Sequence, residues 1–275
     1  MNRQPPPRIF IYVALPCEAK PLVEHFNLKK DTAIQPFAVY FNRHICLTVT
    51  GLGKNAMAAG VAYTQALFVS VDYPVLVNIG IAGHKNHALG SLFLIDKITD
   101  VDSRKSHYPP MVFTPPCPSA SIQTLSRPQL DYDLHHLCDM EASAFYETAA
   151  RFSTGELIHC LKVISDNESS PAENIHPKQV AALISAHVAS IETLLAELSR
   201  LATLITAPEQ PKLFEQLMQR YHFTASEQGQ LKDKLSRWMA LTDAQIPELD
   251  ETRLRKGKDV LLWLDQQISE IEFCL

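Results

Sequence analysis

Short, β-branched apolar runs alternate with helix-patterned stretches through the first two-thirds of the chain, and this alternation restricts the fold most. Arg8–Leu15 (RIFIYVAL) and Val75–Ile79 read as buried strands, because unbroken apolar runs of this length suit a strand covered on both faces. Pro16 then fits a first helical turn, with Leu22, Val23 and Phe26 as its apolar stripe. Phe37–Phe41 and His44–Thr50 flank Asn42-Arg43, which reads as a two-residue hairpin connection. Asn55–Val69 is alanine-rich and helical, and Leu92–Ile98 is another strand. Strands and helices in alternation indicate an α/β domain.

The second half is organised differently. Asp100–Pro128 is rich in Pro and Ser and reads as loop with one strand at Ser121–Ser126. Met140–Phe152 is helical, and the strand Leu157–Ile164 delivers Ser165-Asp166-Asn167 at its C-terminal end. From Lys178 every pattern is helical. Val180, Ile184, Ile191, Leu195 and Leu198 lie on one apolar stripe, and Pro208 and Pro211 end that helix. Thr224-Ala-Ser-Glu227 is a capping box opening a helix through Met239, and a last helix is expected from Thr252 to Glu272. These patterns divide the chain into an α/β domain, 1–207, and a helical extension, 208–275.

Composition removes several function classes. The chain is 46% hydrophobic and 20% charged, which suits a packed core and not a disordered chain. Its 25 Lys+Arg against 30 Asp+Glu give a formal net charge of -5. Residues 208–275 hold nine basic and twelve acidic residues, or -3, leaving -2 for the first 207. Neither part offers the cationic field that a nucleic acid or an anionic membrane requires. The longest apolar runs are too short to span a bilayer, and the N-terminus shows no small-residue cleavage site. Six cysteines are scattered without a C-x-x-C pair, most of them in apolar runs. They read as reduced, buried thiols of a cytoplasmic protein.

Several motifs carry less chemistry than they first suggest. Gly51-x-Gly53-x-x-Ala56 satisfies the dinucleotide fingerprint, but Asp72 precedes the next strand instead of ending it, where the ribose would need an acid. Asn55 after Lys54 breaks a phosphate-binding P-loop pattern. What remains is a tight strand-to-helix turn whose amides bind an anion or cap the helix. Asp131-Tyr-Asp133 and His135-His136 lack metal-ligand spacing and read as a surface turn. His84, His87 and His107 read as exposed loop histidines. Arg253, Arg255, Lys256 and Lys258, flanked by four acids, read as a solvated helix face.

Five segments in order are more specific: Ala14-Leu-Pro-Cys-Glu18, Gly51-Leu-Gly-Lys54, Asn78-Ile-Gly-Ile-Ala-Gly83, Asp139-Met-Glu-Ala-Ser143 and Val163-Ile-Ser-Asp166. Together they resemble the nucleoside phosphorylase/nucleosidase superfamily, including the methylthioadenosine and futalosine nucleosidases. The match runs from about Arg8 to about Ser199, and the helices after Ala207 lie outside it. The resemblance implies a three-layer α/β/α fold on a twisted mixed sheet, and cleavage of a purine N-glycosidic bond. It implies Asp166 as the acid that protonates the departing base, supported by Ser165, and Glu18 as the group that activates water. Glu141 would take the ribose hydroxyls with Met140 packed under the sugar, and Ala82 and Gly83 would line the substrate. A cytoplasmic homodimer acting on a small nucleoside, without metal or organic cofactor, completes that expectation.

The residue types also bear on the nucleophile. Cleavage passes through an oxocarbenium-like sugar, and phosphate as nucleophile needs cationic donors around its oxygens. Hexameric bacterial phosphorylases carry arginine and serine where Asn78 and Ile81 stand here, and a Gly-Asp-Pro-x-x-Arg element where this chain has Leu-Pro-Cys-Glu18. A carboxylate there repels phosphate and suits water, so hydrolysis is expected, with a phosphorylase as one alternative. A member that binds a nucleoside or a protein partner without turnover is the other. Two departures mark this chain: the segment between Ile98 and Asp139 is short, and Arg127-Pro128 stands where an aromatic residue commonly stacks on the purine. Asp166 suits an adenine nucleoside first and permits a 6-oxo purine.

Overall fold

The computed structural model describes residues 7–34, 36–68, 73–128, 136–205, 212–242, 247 and 254–272. The chain divides into two compact units, Met1–Ile205 and Thr206–Leu275.

The first unit is a mixed α/β structure. Its strands are β1 (Ile9–Val13), β2 (Lys29–Lys30), β3 (Ala38–Phe41), β4 (Ile45–Val49), β5 (Val75–Gly83), β6 (Leu92–Asp100), β7 (Ser106–His107), β8 (Ser119–Thr124), β9 (Leu137–Asp139) and β10 (Ile158–Asp166). The helices are α1 (Pro16–His25), α2 (Lys54–Leu67), α3 (Ala142–Ala149), α4 (Pro177–Ser185) and α5 (Val188–Leu204). β1 lies between β4 and β5, parallel to both, with Ile11 opposite Leu47 and Val77. β3 and β2 extend the β4 side antiparallel. On the other side β5 pairs in parallel with β10. From there β6, β8 and β9 lead back to β5, where Gly83 is the partner of Cys138, so five strands close into a ring. The C-terminal ends of β5, β8, β9 and β10 meet at one end of that ring.

The unbroken apolar runs are explained by burial of both sheet faces. Alternate side chains of a strand point to opposite faces. Phe10 and Tyr12 pack with Met57 and Val61 of α2 and Phe145 of α3. Their neighbours Ile11 and Val13 pack with Leu22 of α1, Ile184 of α4 and Leu194 and Leu198 of α5.

Some expectations need correction. The helical stripe through Val180 and Leu198 is two helices, α4 and α5, bent by 56°. The break falls at Ala186-His187, where His187 Nε2 lies 2.6 Å from the Gly90 carbonyl, so a tertiary contact overrides an unbroken apolar period. The hairpin connection is Asn42–His44, one residue longer than expected, because Asn42 Oδ1 accepts from the amides of His44 and Ile45. The helix expected over Met140–Phe152 is confined to Ala142–Ala149. Of the described cysteines only Cys46 and Cys160 are buried; Cys17, Cys117 and Cys138 are half-buried. Cys274, Asp72, Pro208 and Pro211 lie outside the described residues.

The second unit is helical, with α6 (Lys212–Arg220), α7 (Ala225–Leu241) and α8 (Gly257–Glu272). It has its own core, including Leu217, Leu231, Leu235, Val260 and Leu264. The expected capping box opens α7: the Glu227 amide donates to Thr224 Oγ1, and the Glu227 carboxylate accepts from the Thr224 amide. α8 begins at Gly257, and Thr252 and Arg253 lie outside the described residues. No single described helix is long and apolar enough to cross a membrane.

Candidate active site

A cavity of about 330 Å³ opens at the C-terminal ends of β1, β5, β8, β9 and β10. This is where ligands enter open α/β sheets, because loops and helix starts there are free to vary around a rigid frame. Glu18, Met140, Glu141, Ser165 and Asp166 line it, together with Ala82 and Gly83. All seven residues singled out in the sequence therefore meet in one cavity, although they come from four separate segments.

Glu18 is placed by the turn from β1 into α1. Pro16 starts the helix without needing an amide partner, and the carboxylate folds back over the turn. Its Oε2 accepts from the amides of Ala14 (2.9 Å) and Leu15 (2.8 Å), and its Oε1 from the amide of Ile81 (3.0 Å). The side chain is not solvated as an isolated helix-start glutamate would be: it is 2% exposed. Burial pushes its pKa above the ordinary carboxylate value, against the opposing pull of these amides and of Lys162.

Asp166 closes β10, after a register irregularity between Ile164 and Asp166 in its pairing with β5. The Ser165 hydroxyl donates to Asp166 Oδ1 and lies 3.4 Å from the Ala82 carbonyl. Gly83 is required here by close approach: a Cβ at that position would stand 2.5 Å from Asp166 Oδ2.

Glu141 immediately precedes α3. Its Oε1 accepts from the Gly53 amide at 2.7 Å, and its Oε2 lies 3.3 Å from the Met140 amide. This answers what the Gly51–Lys54 turn does. Its Gly53 amide holds a protein carboxylate, and Lys54 pairs with Asp100 at 2.9 Å and with Asp102. Burial, followed by the charge of Asp139, pushes the Glu141 pKa up to about 7, against the pull of Lys162 and the Gly53 amide.

Sequence reasoning missed one group. Lys162 sits in the middle of β10 with its side chain 1% exposed, and its Nζ lies 2.8 Å from Asp139 Oδ2. Asp139 also accepts from the Thr124 hydroxyl and the Ala142 amide, both at 2.8 Å. A Cβ added to Gly80 would lie 3.0 Å from Glu18 Oε1 and 3.4 Å from Lys162 Nζ, so the two side chains converge over that glycine. Burial works against the ammonium, but Asp139 and Glu141 together outweigh it and raise its pKa. The available signal was a lone cation inside an otherwise apolar strand, which must have a buried partner.

Other candidates stand elsewhere. Asn78 is buried in the sheet and donates to the Tyr12 carbonyl at 3.0 Å. His84 and His87 are not simply exposed: their rings stack at 3.9 Å, and His84 Nδ1 accepts two loop amides. His107 is half-buried against the Tyr146 ring. His136 lies 2.7 Å from the Ser121 hydroxyl, while Asp131, Asp133 and His135 lie outside the described residues. Among the described residues no group of three or more His, Cys, Asp or Glu side chains is arranged to hold a metal ion.

No family model and no curated protein matches the sequence. Solved structures do match the fold. The 5'-methylthioadenosine nucleosidase of Arabidopsis thaliana aligns over 70% of this chain and 96% of its own, at TM-score 0.56 and 16% identity. The 5'-methylthioadenosine/S-adenosyl homocysteine nucleosidase of Campylobacter jejuni covers 70% of this chain and all (100%) of its own, at TM-score 0.54 and 16% identity. A futalosine hydrolase mutant of Helicobacter pylori covers 70% and 100%, at TM-score 0.51 and 13% identity. The chain has a nucleosidase fold. The structures matched belong to the superfamily that the five sequence segments resemble. In this nucleosidase fold four buried carboxylates, Glu18, Asp139, Glu141 and Asp166, line the cavity, and the buried Lys162 ammonium pairs with Asp139.

Proposed function

We propose that this chain hydrolyses the N-glycosidic bond of a purine nucleoside, releasing free base and sugar. The observation that carries the reading is the convergence of Glu18, Glu141 and Asp166 on one cavity. Asp166 protonates a ring nitrogen of the departing base, so the base leaves without accumulating charge. Glu18, made more basic by burial, takes a proton from the attacking water, whose oxygen bonds to the anomeric carbon. Lys162 sits beside Glu18 and holds positive charge where two carboxylates would otherwise repel. Glu141 accepts from ribose hydroxyls, and Met140 lines the sugar. Around Glu18 the partners are three amides and one lysine committed to Asp139, which favours water over phosphate as nucleophile.

The same reading assigns residues 1–207 to a three-layer α/β/α nucleosidase-like domain and residues 208–275 to a helical extension. It also takes the chain as a cytoplasmic homodimer, which light scattering tests. The activity itself is tested by a panel of purine and pyrimidine nucleosides incubated with and without phosphate, with products identified by mass spectrometry. Free purine and free sugar in phosphate-free buffer are expected. Sugar 1-phosphate formed only with phosphate would replace hydrolysis by phosphorolysis.

A further inference from the structure

We infer that Arg127 sets base specificity by donating to an acceptor on the purine edge, so that a 6-oxo purine is preferred over a 6-amino purine, the reverse of the adenine-first order expected from Asp166 alone. This rests on the nucleosidase reading for the identity of the ligand, and on the following geometry for the residue.

Arg127 lines the cavity just beyond β8. Its neighbour Leu125 donates its amide to the Asp139 carbonyl, which ties this segment to the end of β9. On β9, Cys138 is the sheet partner of Gly83, the glycine against which Asp166 packs. Arg127 therefore belongs to the Asp166 end of the cavity, where the reading puts the base. Leu15, just before α1, and Pro177 and Val180 of α4 also line the cavity.

Among the described side chains of this segment, Arg127 brings the one cationic donor. The Leu125 amide is used, the Ser126 hydroxyl donates to Asp102, and Pro128 has no N–H. The Arg127 guanidinium has no hydrogen bond or ion pair among the described residues. A guanidinium carries five N–H donors and no acceptor. It matches a carbonyl oxygen at the 6 position, and it opposes the amino group of an adenine-type base, which presents a donor there. As the glycosidic bond breaks, electron density moves into the base, and a cation beside O6 stabilises that charge. Asp166 and Arg127 then divide the work: one protonates the ring nitrogen, the other holds the exocyclic oxygen.

The test compares inosine with adenosine, and their 5'-methylthio derivatives, on the wild-type chain, Arg127→Met and Arg127→Lys. Arg127 is exposed, and wild type should favour the 6-oxo member of each pair by about 10-fold in kcat/KM, the scale of one hydrogen bond to a charged group. Arg127→Met should abolish that preference, and Arg127→Lys should retain part of it. An adenine preference in wild type, or a ratio unchanged in Arg127→Met, overturns the inference. Calorimetry with free hypoxanthine and free adenine reads the same preference without turnover. Hypoxanthine selectivity lost in Arg127→Met supports the role of Arg127 even if no nucleoside is cleaved, an outcome that would remove only the hydrolase reading. Equal binding of both bases contradicts the role of Arg127 whatever the activity.

Discussion

Lys162 Nζ lies 2.8 Å from Asp139 Oδ2, with both side chains 1% exposed, so the buried ammonium is compensated by a buried carboxylate inside the protein. Removing one member leaves the other buried without a partner, which costs about 3–5 kcal/mol. Lys162→Met should therefore lower the urea midpoint markedly, and Asp139→Asn should do so to a smaller degree because the amide still accepts from Thr124. A Lys162→Met midpoint within error of wild type would show that the pair is not what holds these strand ends.

Gly83→Ala addresses geometry without touching charge. The added methyl would stand 2.5 Å from Asp166 Oδ2, and the carboxylate must turn away. Turnover should fall by about 10²-fold, the usual cost of misplacing a reacting group by an ångström. Thermal unfolding should change little. Retained activity would mean that Asp166 works from another position.

Much of this site was legible because its residues fall in short ordered segments. Glu18 follows a strand and a proline, Glu141 was expected in a first helical turn, and Ser165-Asp166 ends an apolar strand, but it was the resemblance carried by their segments together, not local pattern, that singled them out. Lys162 was not legible in the same way. Its neighbours Leu161 and Val163 mark a buried strand, and its partner Asp139 is brought near only by the ring of strands that closes at Gly83 and Cys138. The break between α4 and α5 was hidden for a similar reason. Ile184, Ile191 and Leu198 keep helical spacing across it, while the contact that fixes it, His187 to Gly90, spans 97 residues.

A pH dependence of activity follows from Glu141. Its pKa is pushed up to about 7, first by burial and then by Asp139. Ribose hydroxyls are donors to its ionised form, so kcat/KM should rise as pH climbs through about 7. Glu141→Gln should remove this limb of the profile along with much of the affinity. A profile of the same shape in the variant would assign that titration to another group.

Acid should destabilise the fold through His159, which is fully buried in β10. Burial pushes its pKa from the ordinary 6.5 down to about 4. Between these values the unfolded chain binds a proton that the folded chain refuses, so stability falls as pH drops from about 6.5 towards 4. This group alone accounts for about 3 kcal/mol. Urea unfolding of wild type and His159→Phe at several pH values checks this, and the variant should lose the dependence in that window.

The most direct measurement is release of free base by wild type, Asp166→Asn and Glu18→Gln in phosphate-free buffer, on whichever purine nucleoside the wild type cleaves fastest. Wild type should release base in multiple turnovers. Asp166→Asn should fall by roughly 10²–10⁴-fold, as expected when a general acid is removed. Glu18→Gln should be similarly impaired while still binding the nucleoside, since its carboxylate serves the water and not the base. Both variants should unfold near the wild-type temperature. Full activity in either folded variant, or no base release from any nucleoside by the wild type, would contradict the account.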